Sequence, residues 1–196
     1  MFRRIVTVVG LCALTITPLV ARAESRLLWL TPEQKRRAEQ LISLFENGTT
    51  VIQYAYVENL HDGRGYTVGR GFTTATGDAY DVVKLYTQRV KRNPLAQYLN
   101  QLASLAKKGS VRAVGLQGFP SAWKRAAKDP KFRAVQNEVV DHESYEPAMK
   151  LADTIGAKLP LTRVELYDAF VMHGGGDDPD GVPALLMRTN TAMGGT

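Results

Sequence analysis

One short segment differs in character from everything around it. Residues 51–74, VIQYAYVENLHDGRGYTVGRGFTT, are rich in β-branched and aromatic side chains and contain four glycines. The stretch 51–60 alternates in part and predicts a strand. HDGRG at 61–65 predicts a tight turn, and YTVGRGFTT predicts a second, glycine-rich strand. Apolar residues on both sides recur at helical spacing instead. The chain is therefore expected to be α+β and mostly helical, with one small β-ribbon directly after its first helix.

That first helix has both ends marked. Thr31 is an N-cap residue, Pro32 sits at the first helical position, and Gln34 completes a capping box. Ala38, Leu41, Ile42 and Phe45 follow on one face, and Asn47-Gly48 is a stop signal, so the helix is expected over 31–47. After the ribbon, further helices are predicted from Thr76 or Gly77 to Val90 and from Pro94 through Ala106. Others are predicted from a Ser121 cap and across 131–154 with a bend near Pro147. A Thr162–Glu165 capping box predicts one more, to His173, and Pro183 opens a last short one.

The N-terminus is organised differently. Arg3 and Arg4 precede an apolar stretch from Ile5 to Val20, and Ala21-Arg22-Ala23 has the small-x-small form cut by a signal peptidase. Residues 1–23 are expected to be a secretory signal peptide, with cleavage after Ala23. A membrane anchor is disfavoured because Thr15, Thr17 and Pro18 interrupt an already short apolar run. The sole cysteine, Cys12, lies in this leader. The remaining 173 residues would then fold as a single domain on a hydrophobic core alone, without a disulfide. The leader contains three Arg and no acid, so its loss lowers the net charge from +6 to +3. Such an excess, without a basic run interleaved with aromatics, does not point to nucleic acid.

Glu46 and Asp62 are the residues with the clearest chemical meaning. A carboxylate is mildly unfavourable at the negative end of a helix dipole, which is where Glu46 sits. With apolar Phe45 beside it, the carboxyl would meet a partly dry wall, a setting in which an acid holds its proton. Asp62 lies among glycines beside Arg64, where NH groups and a cation favour the ionised form. Two carboxyl groups in opposite settings serve glycoside hydrolysis, one as proton donor and the other as base or nucleophile. Spacing alone also permits a solvated helix end for Glu46 and an Asx turn for Asp62. Tyr54 and Tyr56 share a strand face. Either ring would suit a sugar, with core packing the expected role of one of them.

The stretch FENGTT…QYAYVENLHDGRGYTVGRGFTTATGDAYDVV, together with VMHGGGDDPDG, closely resembles the chitosanases of glycoside hydrolase family forty-six. The resemblance runs from about residue 31 to the end and is densest over 45–83. It implies a lysozyme-like two-lobed fold and hydrolysis of β-1,4 bonds in chitosan with inversion. By the same resemblance Glu46 is the general acid, Asp62 the base that activates water, and Thr67 a holder of that water. Tyr56, Arg64, Thr76, Asp78 and His173 match positions that line sugar subsites. Asp78 also makes sense chemically, because glucosamine units carry ammonium groups that an anionic side chain selects. Gly48 departs from the polar residue found in many relatives. The chain also ends where relatives continue, so the resemblance implies that C-terminal helices are lacking.

GRGYTVGRG does not lead from a strand into a helix as a dinucleotide site does, and DDPDG lacks the spacing and distal glutamate of a calcium loop. His61, His142 and His173 show no metal-ligand spacing, and the expected role of Asp141 and His142 is a helix surface or a buried pair. The resulting expectation is a secreted, extracellular endo-chitosanase that needs no metal or cofactor and is monomeric when complete. Its partner is chitosan, with no membrane contact after signal removal. The rival readings are a peptidoglycan muramidase, against which Asp78 argues, and a non-catalytic polysaccharide-binding remnant.

Overall fold

The computed structural model describes residues 29–110 and 112–195, so the leader predicted at 1–23 lies outside the described residues. Helix α1 spans Pro32–Asn47. The Thr31 hydroxyl accepts from the Gln34 amide, the Gln34 side chain accepts from the Thr31 amide, and Gly48 closes the helix at φ 67°. Both predicted ends are therefore present. Its inward face is narrower than expected: Ala38 and Ile42 are buried, whereas Leu41 and Phe45 are exposed.

Three short strands follow: β1 (Val57–Asn59), β2 (Tyr66–Val68) and β3 (Phe72–Thr73). They form an antiparallel sheet in the order β1-β2-β3, with Glu58 opposite Thr67 and Thr67 opposite Thr73. The predicted strand at 51–60 is thus cut to its last third. Residues 52–56 fold back on themselves, the Tyr54 amide donating to Ile52 and the Tyr56 amide to Gln53. The Tyr54 carbonyl accepts from side chains, Trp123 Nε1 at 3.0 Å and Gln136 Nε2 at 3.1 Å, which takes it out of any ladder. The predicted second strand is itself a hairpin that turns at Gly69-Arg70-Gly71. At Gly69 (φ 57°) a Cβ would stand 2.2 Å from Gln136 Oε1 and 2.9 Å from the Trp123 ring, so backbone and helix meet there too closely for any side chain.

The rest is helical: α2 (Asp78–Arg89), a 3₁₀ turn (Ala96–Tyr98), α3 (Leu99–Lys108), α4 (Phe119–Ala126) and α5 (Pro130–Val140). A five-residue π turn (Asp141–Tyr145) leads into α6 (Glu146–Thr154), followed by α7 (Pro160–His173) and α8 (Val182–Ala192). Two caps expected from sequence are absent. Helix α4 begins after Gly118, with Ser121 already inside it, and α7 begins at Pro160, with Thr162 in its first turn. A proline in the first turn preset φ in both cases, so each helix started ahead of the hydroxyl. The last helix is longer than expected. The bend foreseen near Pro147 is the π turn. Pro147 has no N–H to offer the carbonyl four residues back, and its ring crowds that position, so the ladder widens and the Glu146 amide reaches the Asp141 carbonyl instead.

Buried aromatics hold these elements together. Trp123 packs edge-on to Phe132 with centroids 4.9 Å apart and also meets Phe119, which in turn meets Tyr98 and Tyr66. Val68 and Phe72 of the sheet belong to the same core. The ribbon is thereby seated on α4 and α5, and it faces the C-terminal end of α1 across a cleft. Among the described residues, no helix is long and apolar enough to cross a membrane.

Candidate active site

The cleft holds about 980 Å³. Its walls come from the end of α1, the sheet, the π turn and the end of α7. Five residues singled out from sequence line it together: Glu46, Tyr56, Arg64, Thr67 and Asp78. Glu46 projects from the last turn of α1, which contains no basic residue. The apolar wall expected beside it is not there, because Phe45 is 75% exposed.

Asp62 is held by its own turn. Arg64 donates to Asp62 Oδ2 from Nη2 at 2.6 Å and from Nε at 2.9 Å, and the Arg64 amide donates to Oδ1 at 3.1 Å. The guanidinium, helped by that amide, holds the Asp62 carboxyl below its usual value. Asp62 does not itself line the cleft; Arg64, bound to it, does. Asp62 is thus both an Asx-turn residue and one half of a carboxylate–guanidinium pair.

Thr67 is the central residue of β2, paired on both sides. Its Oγ1 is buried and has no hydrogen-bond partner among the described residues. A buried hydroxyl without a partner is costly, and this one belongs to a residue that lines the cleft.

Tyr56 lines the cleft and donates its hydroxyl proton to Glu58 at 2.5 Å, which raises the phenol above its ordinary value. Tyr54 takes the packing role: it lies against the core, and its hydroxyl donates to Asn137 Oδ1 at 2.9 Å. Thr76 is exposed and donates to Asp78 Oδ2 at 2.9 Å, so it orients Asp78 without lining the cleft. His173 ends α7 and is exposed; its neighbours Met172 and Gly174 reach the cleft wall and it does not.

Sequence reasoning missed, among other lining residues, Glu143 and Arg70. Glu143, in the π turn, stands near Asp78 and Asp81. Enclosure by protein and then those two carboxylates push its carboxyl up to about 7. Its outer edge is still open to solvent. The available signal was Pro147, four residues on, which marked the helix irregularity. Arg70, in the hairpin turn, reaches under the cleft, and its side chain is 8% exposed. Its flanking glycines were visible in sequence, but the direction of the side chain was not. Among the described residues, no group of three His, Cys, Asp or Glu is placed to hold a metal ion.

The family model for glycosyl hydrolase family 46 matches residues 40–196, which include every residue of the cleft just described except Glu39. The chain belongs to glycosyl hydrolase family 46. Its similarity to individual family 46 proteins is high. It is 57% identical over 168 residues to a chitosanase of Bacillus subtilis (strain 168), covering 85% of this chain and 61% of that protein. It is 39% identical over 151 residues to a chitosanase of Streptomyces sp. (strain N174), covering 76% and 54%. The chain thus spans less than two thirds of the length of these relatives.

Solved structures agree. A mutant chitosanase from Bacillus subtilis MY002 complexed with 6 GlcN superposes with a TM-score of 0.82 at 56% identity, over 85% of this chain and 70% of that one. The family 46 chitosanase of Gynuella sunshinyii complexed with chitotetraose also gives 0.82, at 46% identity, over 85% and 69%. The fold is therefore the mostly helical, lysozyme-like α+β fold of this family, with its small sheet after the first long helix.

Proposed function

We propose that this chain is a secreted endo-chitosanase that hydrolyses β-1,4 bonds between glucosamine units of chitosan by inversion. The observation behind this reading is that an acid at a helix end, Glu46, and a strand threonine, Thr67, whose hydroxyl has no partner among the described residues, line one open cleft, in a chain 57% identical to a chitosanase. Glu46 protonates the leaving oxygen. Asp62, kept ionised by Arg64, takes a proton from the attacking water, which Thr67 orients. Asp78 meets the ammonium of a glucosamine unit. A peptidoglycan muramidase would have no use for that contact, because N-acetylated sugars offer no ammonium. Export follows from the predicted leader at 1–23 and is tested by sequencing the N-terminus of the protein recovered outside the cell, which should begin at Glu24.

Turnover of soluble chitosan is the direct test. The parent should cleave it, while Glu46→Gln and Asp62→Asn should each lose roughly 10²–10⁴-fold in kcat and still bind. Cleavage of cell walls in place of chitosan would favour a muramidase. Binding without any cleavage would favour a polysaccharide-binding remnant. Early proton NMR of the product should show the α-anomer first, since inversion leaves room for water between two carboxyl groups roughly 6.5–9.5 Å apart. An initial β-anomer would exclude the base role of Asp62.

A further inference from the structure

The two proposed catalytic carboxylates sit on different elements, Glu46 on α1 and Asp62 on the loop into β2. Their separation is set by whatever joins those elements. Among the described residues, no backbone hydrogen bond joins α1 directly to the sheet. Arg70 makes the connection. It lies three residues after Thr67, in the turn that closes the β2–β3 hairpin. Its Nη2 donates to Glu39 Oε1 at 3.3 Å, and its Nη1 donates to Asn137 Oδ1 at 2.8 Å. Glu39 is on α1, seven residues before Glu46, so two helical turns put both on one face, and both line the cleft. Asn137, on α5, also accepts from the Tyr54 hydroxyl, which ties the segment entering β1 to the same point.

Charge explains why such a contact is firm. The Arg70 side chain is 8% exposed and that of Glu39 18%, so neither is well solvated. Removing one partner would strand the other in a partly dry site, which costs far more than an exposed pair contributes. Lys35 stands 4.0 Å from Glu39 and 2.6 Å from Asp141, which extends the network to the π turn. One guanidinium, carried by the hairpin turn, therefore touches both the acid-bearing helix and α5 of the scaffold.

We infer that Arg70 is a positioning residue: paired with Glu39, it fixes the hairpin and its Asp62 loop against the Glu46 helix, and so sets the gap across which the water must fit. This rests on the acid and base roles proposed above. It differs from a purely stabilising role in what it predicts for the folded enzyme.

The experiment has two arms. In the first, Arg70→Met is compared with the parent for chitosan hydrolysis at a temperature where both are folded. The kcat should fall at least about tenfold, because misplacement of reacting groups by about 1 Å costs up to 10²-fold. The fall in kcat should exceed any rise in KM, since the change acts on the gap between the reacting groups. Arg70→Lys should restore part of kcat by keeping the charge. In the second arm, nitroxides are placed at Leu44→Cys and Leu60→Cys, both exposed, in a Cys12→Ser background, and their distance distribution is measured. It should be narrow in the parent and broad or displaced with Arg70→Met. Should that variant fail to fold, Glu39→Gln is judged by the same two readouts. A folded variant with the parent's distance distribution, or with the parent's kcat, overturns the inference. A parent that does not cleave chitosan defeats the functional reading instead, and the distance arm still decides the role of Arg70.

Discussion

Arg64 grips Asp62 with both its side chain and its backbone amide, at 2.6 Å from Nη2 and 3.1 Å from the amide. The side-chain contact is the larger cause of the depressed Asp62 pKa. In the base role proposed for Asp62 the carboxyl must be ionised, so activity should be lost as pH falls through that pKa. Arg64→Met should move the acid limb of the kcat/KM profile to higher pH while leaving the alkaline limb in place. A pH–rate series on parent and variant measures this, and an unmoved acid limb would mean that Asp62 does not control it.

Thr67 offers a test in which stability and activity part company. Its buried Oγ1 has no hydrogen-bond partner among the described residues, so Thr67→Val removes an unsatisfied group at almost constant shape. Stability should stay within about 1 kcal/mol of the parent, on the stabilising side if it moves. Activity should fall by roughly 10-fold or more, since one oriented hydrogen bond to the water is gone. Thermal melts and chitosan assays on the same preparation check both halves. Loss of stability with full activity would return Thr67 to the fold alone.

Asp78 should act as a selector. Asp78→Asn removes a charge from the cleft but keeps the side chain able to accept from Thr76. Cleavage of fully deacetylated chitosan should drop far more than that of partly acetylated chains. Equal losses on both substrates would instead make Asp78 a charge that favours the N-terminus of α2, where it is the first residue.

Glu143 should make stability depend on pH. Its carboxyl is raised from 4.5 to about 7 in the folded protein, so the folded state favours the protonated form. That contribution is complete below about pH 4.5 and is lost as pH rises through about 7. The melting temperature of the parent should therefore fall between pH 5 and pH 8 relative to Glu143→Gln, whose side chain cannot ionise. Parallel melting curves for the two proteins would expose a wrong assignment.

Legibility followed the range of the forces involved. Helix α1 could be read to the residue because Thr31, Pro32, Gln34 and Gly48 act within a few positions of themselves. The extent of β1 could not. What shortens it is the Tyr54 carbonyl turning to Trp123 and Gln136, some 70 and 80 positions away. The hydroxyls of Ser121 and Thr162 do not cap because Pro120 and Pro160, in the first turns, set where each helix starts. Glu46, Tyr56, Arg64, Thr67 and Asp78 were found through motif resemblance and local chemistry, and they do share a cleft. Glu143 and Arg70 joined them only through tertiary packing: Pro147 and the flanking glycines mark an irregular backbone at each, but not where the side chain goes.

The π turn at 141–145 has a consequence for how this cleft can change over generations. Five residues in one widened turn amount to a single extra residue in a helix that would otherwise run straight. Deleting one of them would tighten the turn, with Pro147 still interrupting the ladder, and would leave in place the anchors on either side, Val135 and Gln136 before it and Met149 and Ala152 after it, all fully buried. What would vanish is the ledge that holds His142 and Glu143 out over the cleft. Only the outer edge of this wall is open to such change: His142 and Glu143 are exposed, whereas Asp141, paired with Lys35, and buried Tyr145 hold the turn to the framework, so the charge of the cleft rim can vary at little cost to the fold.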